Sequence, residues 1–330
     1  MRIITNLAII FVIIFSPFFF IMDIHTRDQI YTDQLKDQYT TALRTAAQDA
    51  GMVLNINESQ EFESGYESDK FTRVDKDLAL DTFFKTLYLN FTSNNDHIGQ
   101  AALISYVPAI AVLDYDGFFI YANDEYKDTE GMPVYKHSWR AKKPYAFADD
   151  AGNVINFTLD NYVIAYEVST QRWIQGFQRD LIGQTTIPLL DDPVNFEAKR
   201  RSTIVKSVQD DVAYYINKHN EYATRIGVSY TFKLPTIPEE DWVNTLNDVG
   251  LIAFIQGIPI GDQYYNNYAF GGGRLIKKKE VLGGIDPQTG YRYYYRSDCN
   301  FPYQIEEVFE SEKEAASKGY YPKECINNQS

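Results

Sequence analysis

The chain opens with an apolar run that passes without a break into a polar, helix-like segment. From Leu7 to Met22 every residue is apolar except Ser16 and Pro17. With the apolar residues at its edges, the run reaches the roughly 20 residues that a membrane helix needs. No small-residue cleavage site follows it, as one would after a secretory signal. The pattern favours a retained transmembrane anchor over residues 1–24, and a cleaved signal is the alternative.

The charges around this run predict its orientation. Arg2 precedes the run, whereas Asp23, Asp28 and Asp33 follow it with only Arg27 and His25 between them. The positive-inside rule places the N-terminus in the cytoplasm and everything beyond about residue 25 outside the membrane. We therefore expect a single-pass protein of the cell membrane with an extracytoplasmic head.

Apolar residues recur at helical spacing beyond the anchor. They predict an amphipathic stalk helix over residues 25–54 that ends near Gly51 or slightly beyond. The polar, acidic residues 55–77 indicate a loop, and a short helix is predicted over 78–91. The stalk stripe consists of Ile24, Ile30, Leu35, Tyr39, Leu43, Ala46, Ala50 and Leu54.

Two later stretches have the pattern of β-hairpins. PAIAVLDYDGFFIYANDEY (108–126) and KPYAFADDAGNVINFTLDNYVIAYE (143–167) are apolar, and each is broken by a D-G or A-G-N turn. Glycine in such turns supplies a positive φ angle. Together the two stretches predict an antiparallel sheet of four or more strands.

A long helix is predicted over residues 195–227, after start signals at Asp191–Pro193 and before a stop at Gly227. Its apolar stripe is Ile204, Val208, Val212, Tyr215, Ile216 and His219. VSYTFKL (228–234) predicts a strand. PEEDWVNTLNDVGLIAFIQG (238–257) begins like a helix, with Pro238 and three acids in the first turn. GGGRLIKKK (271–279) and YRYYYRSDC (291–299) predict two more strands.

These elements predict an α+β fold with four parts. The parts are a transmembrane anchor (1–24), an amphipathic stalk helix (25–54), an antiparallel-sheet head with packed helices (55–290) and a small C-terminal strand–helix module (291–330). About 305 residues beyond the anchor suffice for one large or two modest domains.

Composition narrows the choice of partners. The net charge is −14, and such a surface repels phosphate backbones, so nucleic acid is excluded as a partner. The chain has two cysteines, Cys299 and Cys325. Outside the cell, two cysteines near one end most simply form a disulfide.

Few motifs suggest chemistry. DYDG (114–117) could open a calcium loop, but the later ligand spacing is absent, and a hairpin turn is favoured. GGGR (271–274) could approach a phosphate, but it lacks the remainder of a P-loop, and a bent strand or loop is favoured. The basic islands NFEAKRR (195–201) and LIKKK (275–279) are interpreted as solvated faces, with an acidic partner as the alternative.

The four histidines, His25, His97, His137 and His219, stand far apart in sequence without metal-ligand spacing. No serine-nucleophile motif is present. The many acidic residues permit a carboxylate pair, but the sequence singles none out. We therefore assign no catalytic residue, no metal ligand and no cofactor.

The C-terminal tail contains, in order, Cys299, Phe309, Ser311, Ala315, Gly319, Tyr320, Pro322 and Cys325. With these residues it resembles the cysteine-containing zinc module of the Ada-type DNA repair proteins. Two of the family's four cysteine positions are filled, and Lys323 occupies a third. Two thiols do not make a Cys₄ zinc site. The resemblance therefore implies a strand followed by a helix near residues 312–317, with a Cys299–Cys325 disulfide in place of the metal.

An anchor and a helix precede a β-rich head, and the stretch LRTAAQDAGMVL after the anchor contains several small residues. This layout and stretch are similar to those of TadE-like and pseudopilin proteins. The G-F-x-x-x-E processing signature of type IV pilins is missing. The resemblance implies a structural or assembly component of a pilus-like or secretion apparatus, with protein partners in the envelope.

Two other functions stay open at this point. DYDGFFIYAND resembles the hairpins of Cache- and PAS-type sheets, which implies a ligand-binding, sensor-like ectodomain. Against it, no second apolar span follows residue 25. An anchored hydrolase is the third alternative, and no motif supports it.

Overall fold

The computed structural model describes residues 2–54, 66, 68, 71, 73–228, 230–238, 241–242, 248–272, 281–296, 301, 303–309 and 312–323. They form a long N-terminal apolar helix, an antiparallel-sheet head with packed helices and a small C-terminal strand module, as predicted. The chain divides into two compact units. The first comprises residues 1–66 and 72–274, and the second comprises residues 67–71 and 275–330.

The helices of the described residues are α1 (Arg2–Val53), α2 (Lys76–Asn90), α3 (His97–Ser105), α4 (Gln178–Leu181), α5 (Pro188–Asp191), α6 (Pro193–Arg225) and α7 (Glu312–Ser317). The strands in the first unit are β1 (Ala109–Asp114), β2 (Gly117–Lys127), β3 (Pro133–Trp139), β4 (Lys143–Ala148), β5 (Val154–Phe157), β6 (Tyr162–Glu167), β7 (Arg172–Phe177), β8 (Gly250–Ile260) and β9 (Gln263–Gly272). Those in the second unit are β10 (Val281–Ile285), β11 (Arg292–Arg296), β12 (Gln304–Phe309) and β13 (Tyr321–Pro322).

The first helix joins the predicted anchor and the predicted stalk without interruption. It runs for 52 residues, contains Pro17, and ends at Val53, close to the predicted stop. Every residue from Ile10 to Tyr31 is exposed. Among the described residues, α1 is the one helix long and apolar enough to cross a membrane. A signal sequence near an N-terminus also meets this requirement of length and composition, so the property fits both interpretations.

Nine strands of the first unit form one sheet, in the order β7-β6-β5-β4-β2-β1-β8-β9, with β3 also paired to β2. All its pairings are antiparallel. At its centre, all six residues of β1 are buried. A strand that is covered on both faces has a continuous apolar sequence, because neither face requires polar side chains.

The second half of α1 is part of the core of the head. Its buried face consists of Ala42, Leu43, Ala46, Ala47, Ala50 and Gly51, and Leu54 directly after the helix is also buried. These mostly small side chains bring the helix backbone close to the sheet. A Cβ added at Gly271 of β9 would lie 1.6 Å from the carbonyl oxygen of Ala47, so the two backbones are in direct contact.

Side-chain contacts fix the direction of β9 along α1. Lys36 Nζ donates to Gln263 Oε1 at 2.7 Å, and the hydroxyls of Thr40 and Tyr265 are 3.1 Å apart. Together with the Gly271 contact, these contacts show that β9 and α1 run in the same direction. The β8–β9 turn therefore lies at the end of the head from which the apolar half of α1 emerges.

The predicted helix over residues 195–227 is confirmed as α6, which begins two residues earlier than predicted. The Asp192 carboxylate caps it by accepting from the backbone N–H groups of Val194 and Asn195, and Pro193 occupies the first turn. Gly227 follows its end with φ +84°, the left-handed conformation expected of a helix stop. The predicted stripe is buried except for Tyr215, which is half-buried.

The prediction of a strand over residues 228–234 is wrong. The described residues of this segment belong to no strand, because side-chain amides satisfy their backbone groups instead. Asn220 bonds both the N–H and the carbonyl of Phe232, and Gln256 does the same for Lys233. Both amides come from other elements, α6 and β8.

The prediction that the helix beginning at Pro238 continues to residue 257 is also wrong. Residues 250–257 of that stretch belong to β8, which continues to Ile260 and is buried at every position except Pro259. A short apolar run without alternation fits a buried strand and a buried helix equally well. The helical start at Pro238 and the strand over 271–279 fall largely on residues outside the described ranges.

The two predicted hairpins are confirmed, with one difference in their turns. Gly152, in the β4–β5 turn, has φ +88°, as predicted. Gly117, in the β1–β2 turn, has no positive φ. A Cβ there would lie 2.3 Å from the carbonyl oxygen of Lys143, so glycine is required by close backbone approach. The sequence pattern did not predict β3 or α3.

The second unit is a four-stranded sheet in the order β12-β10-β11-β13, with a short parallel pair between β11 and β13. Its small core contains Val281, Phe309, Ala315 and Tyr320. The predicted strand near 291–299 is β11. The predicted strand followed by a helix near 312–317 is also present, as β12 and α7.

We expect Gly271→Ala to destabilise the full chain by about 3 kcal/mol or more, because the new methyl group would overlap the α1 backbone. Gly272→Ala is the matched control, since a Cβ at that position meets no atom within 4 Å. Thermal or denaturant unfolding of the detergent-solubilised protein measures both. Equal stabilities of the two variants would show that α1 and β9 are not in backbone contact.

We expect Val212→Ala to cost about 1–3 kcal/mol through lost burial and a residual cavity. Val194→Ala on the same helix should change the free energy of unfolding by less than about 0.5 kcal/mol. The two valines are 1% and 79% exposed, respectively. A similar loss for both variants in denaturant unfolding would show that this face of α6 is not packed on the sheet.

Candidate functional site

A cluster of charged side chains lies at the β1–β2 turn. We call Asp114, Asp116, Lys142 and Tyr66 the acid–lysine cluster. Lys142 Nζ donates to Asp114 Oδ2 at 2.6 Å and also to Asp116 Oδ1. Tyr66 donates its hydroxyl to Asp116 Oδ2 at 2.5 Å. The ammonium group of Lys142 therefore donates hydrogen bonds to two carboxylates, those of Asp114 and Asp116.

The fold places these side chains together from three separate parts of the chain. Asp114 ends β1, Asp116 lies in the two-residue turn, and Lys142 immediately precedes β4. Pairing of Gly117 with Pro144 and of Phe118 with Lys143 holds the start of β4 against the start of β2. The Lys142 side chain is thereby fixed beside the turn.

Burial governs the electrostatics of this cluster. The side chain of Asp114 is only 3% exposed, and that of Lys142 is 32% exposed. Desolvation raises the pKa of the Asp114 carboxyl above its usual range, against the opposing effect of Lys142. Desolvation alone would lower the pKa of Lys142, but Asp114 and Asp116 together raise it. Asp114 and Lys142 therefore both keep their protons to a higher pH than the same side chains do in water.

The same geometry decides between the two interpretations of DYDG. Asp114 pairs with Gly117 across a tight turn, so the hairpin interpretation is confirmed. The amine of Lys142 contacts both carboxylates and occupies the position that a cation would need. Within the described residues, no group of three or more His, Cys, Asp or Glu side chains is placed to hold a metal ion.

A second polar cluster brings together two histidines that are far apart in sequence. The rings of His137 in β3 and His219 in α6 have centroids 5.9 Å apart. His219 Nε2 bonds the Ser105 carbonyl at 2.9 Å, and His137 Nε2 bonds the Val107 carbonyl at 3.2 Å. Because a carbonyl only accepts, Nε2 is the donor in both rings, and both histidines hold the connection between α3 and β1.

The surroundings of these histidines keep them neutral. Burial, with a smaller contribution from His137, lowers the pKa of His219 to about 4. Burial also lowers the pKa of His137. His219 Nδ1 and both amide atoms of Asn123, the cross-strand neighbour of His137, are buried without a partner among the described residues.

A second buried acid, Glu167, is held by hydroxyl and amide donors. Its carboxylate accepts from the Thr170 hydroxyl, from the Thr185 hydroxyl at 3.1 Å and from the Thr186 hydroxyl at 2.7 Å. The backbone N–H of Thr186 donates to it at 2.5 Å. These bonds, that of Thr170 first, lower the pKa of Glu167 to about 2. Glu167 therefore fixes the segment before α5.

The other sequence-predicted features have mixed outcomes. Cys299 and Cys325 lie outside the described residues, so their disulfide stays a prediction, as does the role of the LIKKK island. In the NFEAKRR island, the solvated-face interpretation is wrong for Arg200. This side chain is buried, donates to the Thr158 carbonyl at 3.1 Å and pairs with Glu197 at 2.8 Å.

Comparison of the chain with protein-family models, with curated proteins and with solved structures finds no match. We therefore infer the function of this chain from its own geometry. Sequence reasoning missed both the acid–lysine cluster and the histidine pair, because the folded sheet alone brings their members together.

We expect acid to destabilise the protein through His219. Its pKa is about 4 in the folded state and 6.5 in the unfolded chain, so the unfolded state binds the proton more tightly. Stability is therefore fully present above pH 6.5 and falls as the pH decreases towards 4, by up to about 1.4 kcal/mol per pH unit.

Denaturant unfolding of the full chain between pH 7 and pH 4 measures this slope. His219→Gln should reduce it, whereas His97→Gln, at an exposed position of α3, should leave it unchanged. Identical slopes in all three proteins would show that His219 is not buried in its neutral form.

Proposed function

We propose that this protein is a membrane-anchored, extracytoplasmic structural or assembly component of an envelope machine, such as a pilus-like or secretion apparatus, and that it is not an enzyme. The observation that supports this proposal is the division of α1. Its segment from Ile10 to Met22 is apolar and exposed, and its second half is built into the core of the head. One helix thus provides both a membrane segment and a structural element of the head.

The exposed half of α1 needs an apolar environment. Every residue from Ile10 to Met22 is exposed, and among them are five phenylalanines and several isoleucines. A continuous apolar surface of this size is unfavourable in water and is typical of a membrane or a protein interface. A bilayer around residues 1–24 would cover this surface, with Arg2 on the cytoplasmic side and the aspartates of the stalk outside.

The buried half of α1 explains the small residues on which the resemblance to TadE-like and pseudopilin proteins depends. Ala46, Ala47, Ala50 and Gly51 are buried, and the backbone of α1 at Ala47 and Gly51 crosses β9 closely at Gly271. In this design the helix supports the sheet, and the head presents its remaining surface to partners. Between the anchor and the contact at Lys36 the stalk is exposed, except for the half-buried Thr32 and Leu35.

The acid–lysine cluster supports a non-enzymatic role. Its carboxylates, amine and hydroxyl bind one another, and the protein itself occupies their hydrogen-bonding positions. Glu167 is likewise used for holding a segment of chain. These polar groups stabilise the fold, and their positions do not suggest binding of an external substrate.

A ligand-binding ectodomain is the second candidate function. The buried amide of Asn123, which has no partner among the described residues, favours it, because a buried polar group requires hydrogen-bonding partners. In this alternative, a small polar molecule would bind beside β2 and β3 and would raise the unfolding temperature of the wild-type protein. Asn123→Leu should then abolish the increase.

The assembly proposal predicts discrete protein partners close to the stalk. A photoreactive amino acid in place of Tyr31, which is 61% exposed, should cross-link in intact cells to a membrane or envelope protein. The same group at Leu43, which is buried against the head, is the matched control and should give no intermolecular product.

Fractionation and protease accessibility complete this test. The full chain with an intact N-terminus should remain in the membrane after carbonate washing, and protease added to intact cells or spheroplasts should digest the head. A mature chain beginning near residue 25 in the medium would refute the anchor. A retained chain that cross-links to no protein from Tyr31 would refute the assembly role and leave the ligand-binding function.

A further inference from the structure

The acid–lysine cluster has the geometry of a reactive pair as well as that of an ion pair. An amine lies 2.6 Å from a buried carboxylate, and a second carboxylate contacts the same amine. Amide formation from an amine and a carboxylic acid requires proximity, a polarised carbonyl and a group that moves protons. The cluster provides all three.

We propose that Lys142 Nζ and Asp114 Cγ become joined in an intramolecular isopeptide bond, which the protein forms by itself with loss of one water molecule. This proposal is independent of the assembly role. It assigns the reacting groups to Lys142 and Asp114, and proton transfer to Asp116.

Proximity is enforced by the backbone around both residues. Asp114 is the last residue of β1, and Lys142 is held beside it by the pairing of β4 with the start of β2. At Gly117 the chains approach so closely that even a Cβ would lie 2.3 Å from the Lys143 carbonyl oxygen. Holding two reactants in this way can contribute several powers of ten to a rate.

The Asp114 carboxyl group is oriented for attack. Its Oδ2 contacts the amine, while its Oδ1 accepts the backbone N–H of Tyr115 at 2.8 Å. When the amine adds to Cγ, negative charge develops on Oδ1. A backbone N–H at this distance is the type of donor that stabilises a developing oxyanion.

The proton transfers balance without any added reagent. A first proton passes from Nζ to Asp114 Oδ2, giving a neutral amine and a neutral acid. The amine attacks Cγ and forms the C–N bond. Nζ, now positively charged, gives a second proton to the Asp116 carboxylate, which passes it to the Oδ2 hydroxyl. The C–Oδ2 bond breaks, water leaves, and Asp116 is regenerated.

The surroundings favour the product over the ion pair. The Asp114 side chain is buried, and the buried rings of Tyr115 and Tyr145 adjoin it, with the Tyr145 hydroxyl donating to the Asp114 carbonyl at 3.0 Å. The Phe119 ring lies 5.6 Å from Lys142 Nζ. Burying an ion pair costs solvation energy, whereas the amide carries no charge. Tyr66 holds Asp116 in position by its hydrogen bond.

Intact-mass measurement of the full chain, purified from membranes in detergent, tests the proposal. We expect the wild-type protein to be lighter than its sequence by one water, after allowance for any disulfide. Trypsin should fail to cut after Lys142, and the digest should contain a branched peptide that joins Lys142 to the peptide containing Asp114.

Three variants locate the bond. Lys142→Arg keeps the positive charge but cannot condense, so it should have the mass of its sequence. Asp116→Ala should also remain uncondensed, because the proton carrier is lost. Lys143→Arg is the matched control, since Lys143 forms an ordinary ion pair with Asp211 at 2.6 Å and should not affect the mass loss.

Two results would overturn the proposal. One is a wild-type protein of full mass whose peptide ending at Lys142 is released normally. The other is a water loss confined to the Asp116–Gly117 peptide as a cyclic imide, with no branched peptide. The wild-type result decides the question even if a variant fails to fold.

Discussion

The fold of the first unit depends on direct backbone contact between α1 and β9. At Gly271 the strand lies so close to the carbonyl of Ala47 that no side chain fits between them. Small residues on the helix and glycine on the strand are both necessary for this approach. The contact brings β9 alongside α1, and β8, paired to β9, then places β1 at the centre of the sheet. The head is therefore built around the helix that would anchor it.

The helices and hairpins with a regular pattern of apolar and turn residues could be predicted from the sequence, because these patterns are local. The stripe of α6, the stops near Gly51 and Gly227 and the two hairpins depend on residues close in sequence. Burial and distant side chains explain the failures. The sequence of β8 does not alternate between apolar and polar residues, because the strand is buried along nearly its whole length. Residues 228–234 resemble a strand, but amides from Asn220 and Gln256 satisfy their backbone groups.

The polar clusters could not be predicted because no spacing relates their members. DYDG suggested a tight turn, and the turn is present, but Lys142 lies far from it in sequence, immediately before β4. His137 and His219 meet only because α6 packs near β3, and Arg200 is buried because its helix faces the segment before β6. Sequence pattern identifies acids, amines and imidazoles, and the sheet order determines which of them become neighbours.

The uninterrupted helix of α1 has a mechanical consequence. From Ile24 to the contact at Lys36, twelve residues at 1.5 Å each form a rigid shaft about 18 Å long. With the anchor in a bilayer, this shaft would hold the head at a fixed height and leave a gap above the lipid surface. Because the same helix ends inside the core at Val53, a pull on the head would reach the membrane segment along one axis, with no hinge to absorb it.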